Sequence, residues 1–435
     1  MIKTILKKIR GSEFLANTLI LLSGTTIAQM LPFIFSPIIS RLFTAEDFSV
    51  YGVFISIYSI FGVLLALRYD MSIMMPKKDE DAKQLVMLSF ILSLIISSLI
   101  MISLLLFGEN ISVLLNIQAL NKWILLLPVS ALFLSINNIL INWFNRKKEY
   151  KTIAFNRVQR NASITGANLG FGALKIDSGG LIISQLISDA IAAFYYLWNF
   201  YKKELKGKKK FDKKASLALA KQEKDFPLFT LPTNFIDTFS MQLPILLITA
   251  YFSTQLSGSY FFAYRILGLP MSMIGAAYAQ TFFQKFVSII KEEDYKAAKT
   301  FLGKSWALLF SIIIVPAIVV ALFGPWLFSF IFGQEWLESG KIASILIFYI
   351  TFAFISSPTS STYIALKMQK YSLIFGIASL TYRFLSFYLG YIFKDFYFAI
   401  AMLVICEIVE IIIYNTVVII KLNRMTKQKE VHLTT

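Results

Sequence analysis

The sequence predicts an all-α integral membrane protein of twelve transmembrane helices, divided into two halves of six. Three observations predict this class. The 435-residue chain is 57% hydrophobic, with a mean hydropathy of +0.67, beyond the roughly 50% apolar content of soluble domains. Apolar stretches recur at about the 20-residue length that carries a helix across the hydrocarbon layer. The 42 Lys and Arg fall almost entirely in every second gap between those stretches, as expected if basic loops stay on the cytoplasmic side.

In chain order the spans are expected at 15–40, 49–68, 85–107, 123–143, 153–174, 180–201, 227–252, 259–283, 301–331, 341–366, 371–393 and 396–420. The first follows a basic tail (Lys3, Lys7, Lys8, Arg10). Its apolar run of about 26 residues exceeds the 7–15 of a signal-peptide core, so it reads as an uncleaved span. The fifth is the most polar, interrupted by Arg157, Arg160, Asn161 and Asn168. Basic residues crowd the gaps after spans 2, 4, 6, 8 and 10 and both tails, 34 in all. The opposite side holds five: Arg41, Lys122, Lys175, Lys341 and Lys394. This ratio places both termini in the cytoplasm. It also assigns the net charge of +17 to orientation in a membrane rather than to nucleic acid.

The halves resemble one another. Gln29-x-Leu31-Pro32 pairs with Gln242-Leu243-Pro244, Phe43 to Tyr51 with Phe252 to Tyr260, and Leu106-Phe107-Gly108 with Leu322-Phe323-Gly324. Parallel repeats of this kind relate the halves of several transporters; the plainer reading is chance likeness among Phe- and Leu-rich helices. The expected divisions are a first half at 1–201, a basic linker at 202–226, a second half at 227–421 and a tail at 422–435. The linker carries ten Lys against Glu204, Asp212, Glu223 and Asp225. It reads as a solvated joint, or as a short helix over 215–224 on the anionic inner leaflet, where each basic residue gains about 1 kcal/mol.

Single Cys406 and single His432 leave no disulfide framework, no Cys-based metal site and no basis for imidazole catalysis. No metal or cofactor is expected. No GxxxxGK[ST] phosphate loop occurs, which argues against intrinsic ATP-driven transport. Outer loops of at most roughly 15 residues leave little room for an outer catalytic domain, which weighs against a membrane glycosyltransferase or polymerase. Chemistry therefore rests on ionisable groups at membrane depth, which are costly there and usually face a cavity or a partner. These are Arg160, Arg265 and Arg383, with Asp189, Asp237, Glu407 and Glu410. A guanidinium fork matches phosphate oxygens, and Asn161 and Asn168 beside it suit sugar hydroxyls. The carboxylates suit a proton or sodium ion that drives the cycle. The plainer alternative is static pairing, Arg265 with Asp237 and Arg383 with Glu407 or Glu410. Pro32 and Pro37 in span 1 match Pro232 and Pro244 in span 7; each set is a hinge or a fixed kink.

Ser40-Arg41-Leu42-Phe43-Thr44-Ala45-Glu46-Asp47-Phe48 with Tyr51-Gly52 resembles the first-loop signature of bacterial polysaccharide-export flippases. So do Leu67-Arg68-Tyr69-Asp70 with Pro76, Phe226-Pro227, and Arg265-Ile266-Leu267-Gly268-Leu269-Pro270. The resemblance covers nearly the whole chain and points to an O-antigen or capsule repeat-unit flippase of the multidrug/oligosaccharidyl-lipid/polysaccharide exporter superfamily. It implies two six-helix lobes around a central cavity, alternating access, and cationic cavity residues, a role that Arg160, Arg265 and Arg383 would fill. The implied partners are an undecaprenyl-diphosphate-linked oligosaccharide, membrane lipids, a coupling proton or sodium ion, and a polysaccharide polymerase downstream. The implied location is the bacterial cytoplasmic membrane. A drug/cation antiporter of the same superfamily is the rival, and the three arginines count against it.

Overall fold

The computed structural model describes residues 13–114, 118–205, 212–368 and 370–434. The basic tail expected before the first span, and Lys206 to Lys210 of the linker, lie outside the described residues. Among those described, every regular element is helical. The long helices are α1 (Glu13–Leu42), α2 (Ala45–Leu64), α3 (Asp79–Leu114), α4 (Leu126–Arg146), α5 (Tyr150–Ala173) and α6 (Asp177–Phe200). They continue as α7 (Leu231–Tyr251), α8 (Thr254–Lys291), α9 (Tyr295–Phe332), α10 (Leu337–Ser356), α11 (Lys370–Phe393) and α12 (Phe396–Thr434).

Among the described residues, eight stretches are long and apolar enough to cross a membrane, on α2, α3, α4, α6, α9, α10, α11 and α12. Among the described residues, α5 and α7 do not reach the same apolarity. For α5 the cause is Arg157, Gln159, Arg160 and Asn161 near its middle, and for α7 Thr233, Asn234 and Asp237. The outer surface fits lipid. Only 17% of the most apolar window of α3 and 22% of that of α9 is buried, leaving Leu105, Leu106, Val315 and Leu322 exposed. Apolar surface this extensive is rejected by water.

Local chemistry sets the helix ends. Thr44 caps α2: its Oγ1 accepts from the Asp47 amide at 3.2 Å, and its own amide donates to Asp47 Oδ2 at 2.9 Å. Such a reciprocal box satisfies two otherwise orphaned donors. Phe43 and Phe48 on either side are buried and meet edge to face. The Phe-Thr-Ala-Glu-Asp-Phe motif is thus a helix start with its flanking rings pinned inward. Two tight approaches use glycine. A Cβ at Gly24 would stand 2.5 Å from Ala154 Cβ, so glycine lets α1 lie against α5. A Cβ at Gly340 would stand 2.4 Å from the Gly324 carbonyl, where α9 meets α10.

The chain forms two compact units, Met1–Ala250 and Tyr251–Thr435. In the first, Leu85, Val86, Trp143, Phe144, Tyr196 and Phe200 pack the ends of α3, α4 and α6 together. A short helix, Lys213–Gln222, docks beside them. It is capped by Asp212, Gln84 accepts from its Ser216 hydroxyl at 3.0 Å, and Tyr69 donates to its Ala220 carbonyl at 3.1 Å. α7 is counted in this unit, where Ser56 Oγ donates to Gln242 Oε1 at 3.0 Å. In the second unit Phe282, Phe286, Leu302, Tyr363 and Val418 form the core of α8, α9 and α12.

Candidate functional site

Each unit holds one ion pair among the candidate residues, near the middle of its helices. In the first unit Arg160 is about 15 Å along α5 from its start, at 1.5 Å per residue. Its Nε donates to Asp189 Oδ1 on α6 at 2.5 Å. The other carboxylate oxygen accepts from Tyr58 Oη of α2 at 2.5 Å and from Gln185 Nε2 at 2.8 Å. Tyr51 Oη donates to Gln185 Oε1 at 3.0 Å, and Asn137 Nδ2 of α4 donates to the Asp189 carbonyl at 3.1 Å. Groups from α2, α5 and α6 thus meet at one carboxylate, and α4 holds the backbone of the same residue. The two ends of the pair differ in access: the Asp189 side chain is 0% exposed, that of Arg160 36%. Arg160 Nη2 reaches Tyr58 Oη at 3.4 Å, while Nη1 makes no hydrogen bond among the described residues.

In the second unit Arg383 Nε of α11 donates to Glu407 Oε1 of α12 at 2.7 Å, with side chains 12% and 7% exposed. One residue before, Tyr382 Oη donates to Glu410 Oε2 at 2.5 Å. Tyr260 and Tyr264 of α8 and Tyr349 of α10 lie within electrostatic reach of Arg383 and Glu407. The plan is repeated. Arginine comes from the fifth helix of each expected half, the carboxylate from the sixth, and tyrosines from the second.

The structure therefore joins Arg160 with Asp189, and Arg383 with Glu407 and, next to them, Glu410. Among the described residues, Arg265, Asn161 and Asn168 bond to neither pair. Arg265 is half-buried on α8 and belongs to neither. Asn161 Nδ2 turns back to the Arg157 carbonyl of its own helix at 3.0 Å. Asn168 is buried, and its Oδ1 has no hydrogen-bond partner among the described residues. Asp237 is exposed on α7. Pro32 and Pro37 lie inside α1 and Pro244 inside α7. Pro232 falls where a π-helical turn, Phe226–Thr230, gives way to α7, a usual place for a missing amide to bend a helix. Sequence reasoning missed Tyr51, Tyr58 and Gln185. Tyr51 and Tyr58 are two helical turns apart on one face of α2, a spacing that carries meaning only once Asp189 is placed beside it.

Two carboxylates outside the spans have shifted protonation equilibria. Leu67 and Arg68 adopt left-handed backbone angles, φ 47° and 63°, beyond α2. There Arg68 Nη1 stands 4.0 Å from Asp70 Oδ2, and burial pushes the Asp70 carboxyl above its ordinary value. At the start of α3, Asp79 accepts from Lys147 Nζ at 2.7 Å and Arg146 Nε at 2.9 Å. These bonds, that from Lys147 foremost, hold its carboxyl below the usual range.

Several solved structures that share this arrangement of helices are membrane transporters or flippases. The lipid II flippase MurJ in an inward closed conformation matches with a TM-score of 0.72 at 16% identity, covering 94% of this chain and 91% of that one. An inward-facing multidrug resistance MATE family transporter of the MOP superfamily matches at 0.65 and 14%, covering 94% and 96%. A MOP superfamily transporter from Pyrococcus furiosus Vc1 matches at 0.64 and 14%, again covering 94% and 96%. At such identities the likeness establishes the fold: a multi-pass membrane protein with a MATE- and MurJ-like transporter architecture. No curated protein matches the sequence. The profile of one family, described as polysaccharide biosynthesis protein, matches residues 38–341, and the chain belongs to that family.

Proposed function

We propose that the protein is a flippase. It carries an undecaprenyl-diphosphate-linked oligosaccharide repeat unit, of O-antigen or capsule type, from the inner to the outer leaflet of the bacterial cytoplasmic membrane. The reading has twelve spans, α1, α5, α7 and α8 joining the eight apolar ones, in two six-helix lobes around a central cavity with both termini cytoplasmic. The lobes exchange access to the two sides, Pro32, Pro37, Pro232 and Pro244 supplying bends. A proton or sodium ion, received by Asp189, Asp237, Glu407 or Glu410, drives the cycle. A polysaccharide polymerase would consume the product.

The observation that carries this reading is Arg160 at mid-helix depth, its side chain partly exposed although its carboxylate partner is sealed, in a chain of the polysaccharide biosynthesis family. A charge placed there is costly unless it meets water, a counter-charge or an anionic ligand, and a diphosphate presents the oxygens a guanidinium fork binds best. Arg265 and Arg383 are the further candidate contacts to that group, with Asn161 and Asn168 to the sugar. The likeness to multidrug transporters supports a second reading, a drug/cation antiporter using the same carboxylates. A cation would be repelled by the unpaired edge of Arg160.

Reconstitution into vesicles with a fluorescent undecaprenyl-diphosphate sugar tests the proposal. Protein-dependent exposure of the label at the opposite leaflet is expected. New glycosidic bonds without translocation would make the protein an enzyme and defeat it.

A further inference from the structure

We propose that Arg160 and Asp189 form an anion-operated proton site: a diphosphate group draws the Arg160 guanidinium away from Asp189, and Asp189 takes one proton from water in exchange. The inference rests on the flippase reading for the class of ligand and deepens it by tying the ligand to the coupled ion.

The argument starts from unequal access. Arg160 offers an unpartnered Nη1 and a 36% exposed side chain, so an anion can approach without dismantling the fold. Asp189 is 0% exposed, so water cannot replace the cation it loses. A buried charge stripped of its partner is strongly unfavourable, and a carboxylate escapes that cost by taking a proton. The two oxygens are not equivalent. Oδ2 keeps its hydrogen bonds from Tyr58 and Gln185. Oδ1 has Arg160 alone, so the proton belongs there.

Among the described residues, no second carboxylate bonds to Asp189 or Arg160. The titratable and charged groups facing Asp189 are Tyr51 and Tyr58 from α2 and Arg160 from α5. α4 brings the Asn137 amide and α6 the Gln185 amide. α7 contributes Gln242, which binds Ser56. Tyrosines and arginine are already protonated near neutral pH. One carboxylate therefore answers for one anion. The second-unit pair lacks this opening, since the Arg383 side chain is 12% exposed, so the exchange is assigned to the first unit.

Linkage then sets the outcome. If binding carries one proton, affinity rises about tenfold for each unit of falling pH. Calorimetry on the purified full-length protein in two buffers of different ionisation enthalpy counts the protons taken up at pH about 7.5. Inorganic pyrophosphate and geranyl diphosphate serve as probes, and their relative affinities separate free from lipid-borne diphosphate. Comparison with Asp189→Asn removes the probe's own titration. The wild type is expected to take up about one proton more than Asp189→Asn per diphosphate bound, and Asp189→Asn to bind at least about tenfold tighter. Arg160→Ala should lose binding and uptake together, which keeps the test open if the first variant does not fold. Equal uptake by wild type and Asp189→Asn would overturn the proton site and leave the flippase reading standing. Wild type that binds neither probe would overturn the site and its ligand, with vesicle translocation still judging the flippase.

Discussion

The two units solve the same electrostatic problem with different results. Both bring an arginine and a carboxylate together on adjacent helices, and both line the pair with tyrosine. In the second unit each partner is nearly sealed, 12% and 7% exposed. In the first the carboxylate is sealed and the arginine side chain is 36% exposed. A pair closed on both sides holds helices together. A pair open at its cationic end holds helices together and also offers that charge to a ligand. Pairing alone therefore does not separate structure from function; the access of each partner does.

The largest expected effect breaks or keeps this distinction. Glu407→Gln leaves Arg383 charged and shut in, so it should cost about 3–5 kcal/mol of stability. Asp189→Asn leaves a guanidinium that can be hydrated, and about 1–3 kcal/mol is expected. Denaturant unfolding of both variants in one detergent measures the order, and a reversed order would remove the contrast between the units. Next in size is the tyrosine support. Tyr58→Phe removes a donor from a sealed carboxylate and should cost about 1.5–3 kcal/mol. Tyr382→Phe, whose partner Glu410 is half-buried, should cost about 0.5–1.5 kcal/mol, read in the same assay.

The smallest effect lies outside the spans. The Asp79 carboxyl is held below its ordinary value by hydrogen bonds from Lys147 and then Arg146. A depressed folded value means that this contribution is present above the unfolded value of about 4 and is lost as pH falls through the folded one. The group is half-exposed, so no more than about 1 kcal/mol is at stake. Thermal melts from pH about 6 down to about 3 should show the wild type losing slightly more stability than Asp79→Asn. Identical slopes would mean that the cluster contributes nothing.

Much of the helical plan could be read from the sequence because it rests on composition and periodicity. The polarity that made the fifth span the weakest reappears as an α5 too polar to qualify as a membrane crossing alone, and the same residues supply Arg160. The partner of Arg383 could be narrowed to Glu407 or Glu410 because they lie on the next span. The pairing of Arg160 with Asp189 was not legible. It depends on how far α5 and α6 slide past one another, and nothing in the charge pattern fixes that register. Tyr58 and Gln185 escaped for a different reason. Tyrosine and glutamine in a span are ordinary until a buried carboxylate is placed beside them. The Phe43 to Phe48 motif was read as a family mark, and its residues build a capping box and two pinned rings.

The most direct measurement is the translocation rate of a fluorescent undecaprenyl-diphosphate sugar by Arg160→Ala in vesicles, set beside the wild type at matched amounts of folded protein. Loss of one charge-assisted contact of about 1.5–3 kcal/mol predicts a rate roughly 10- to 100-fold lower, with Arg160→Lys recovering part of it. Arg160→Ala moving the substrate as fast as the wild type would contradict the account.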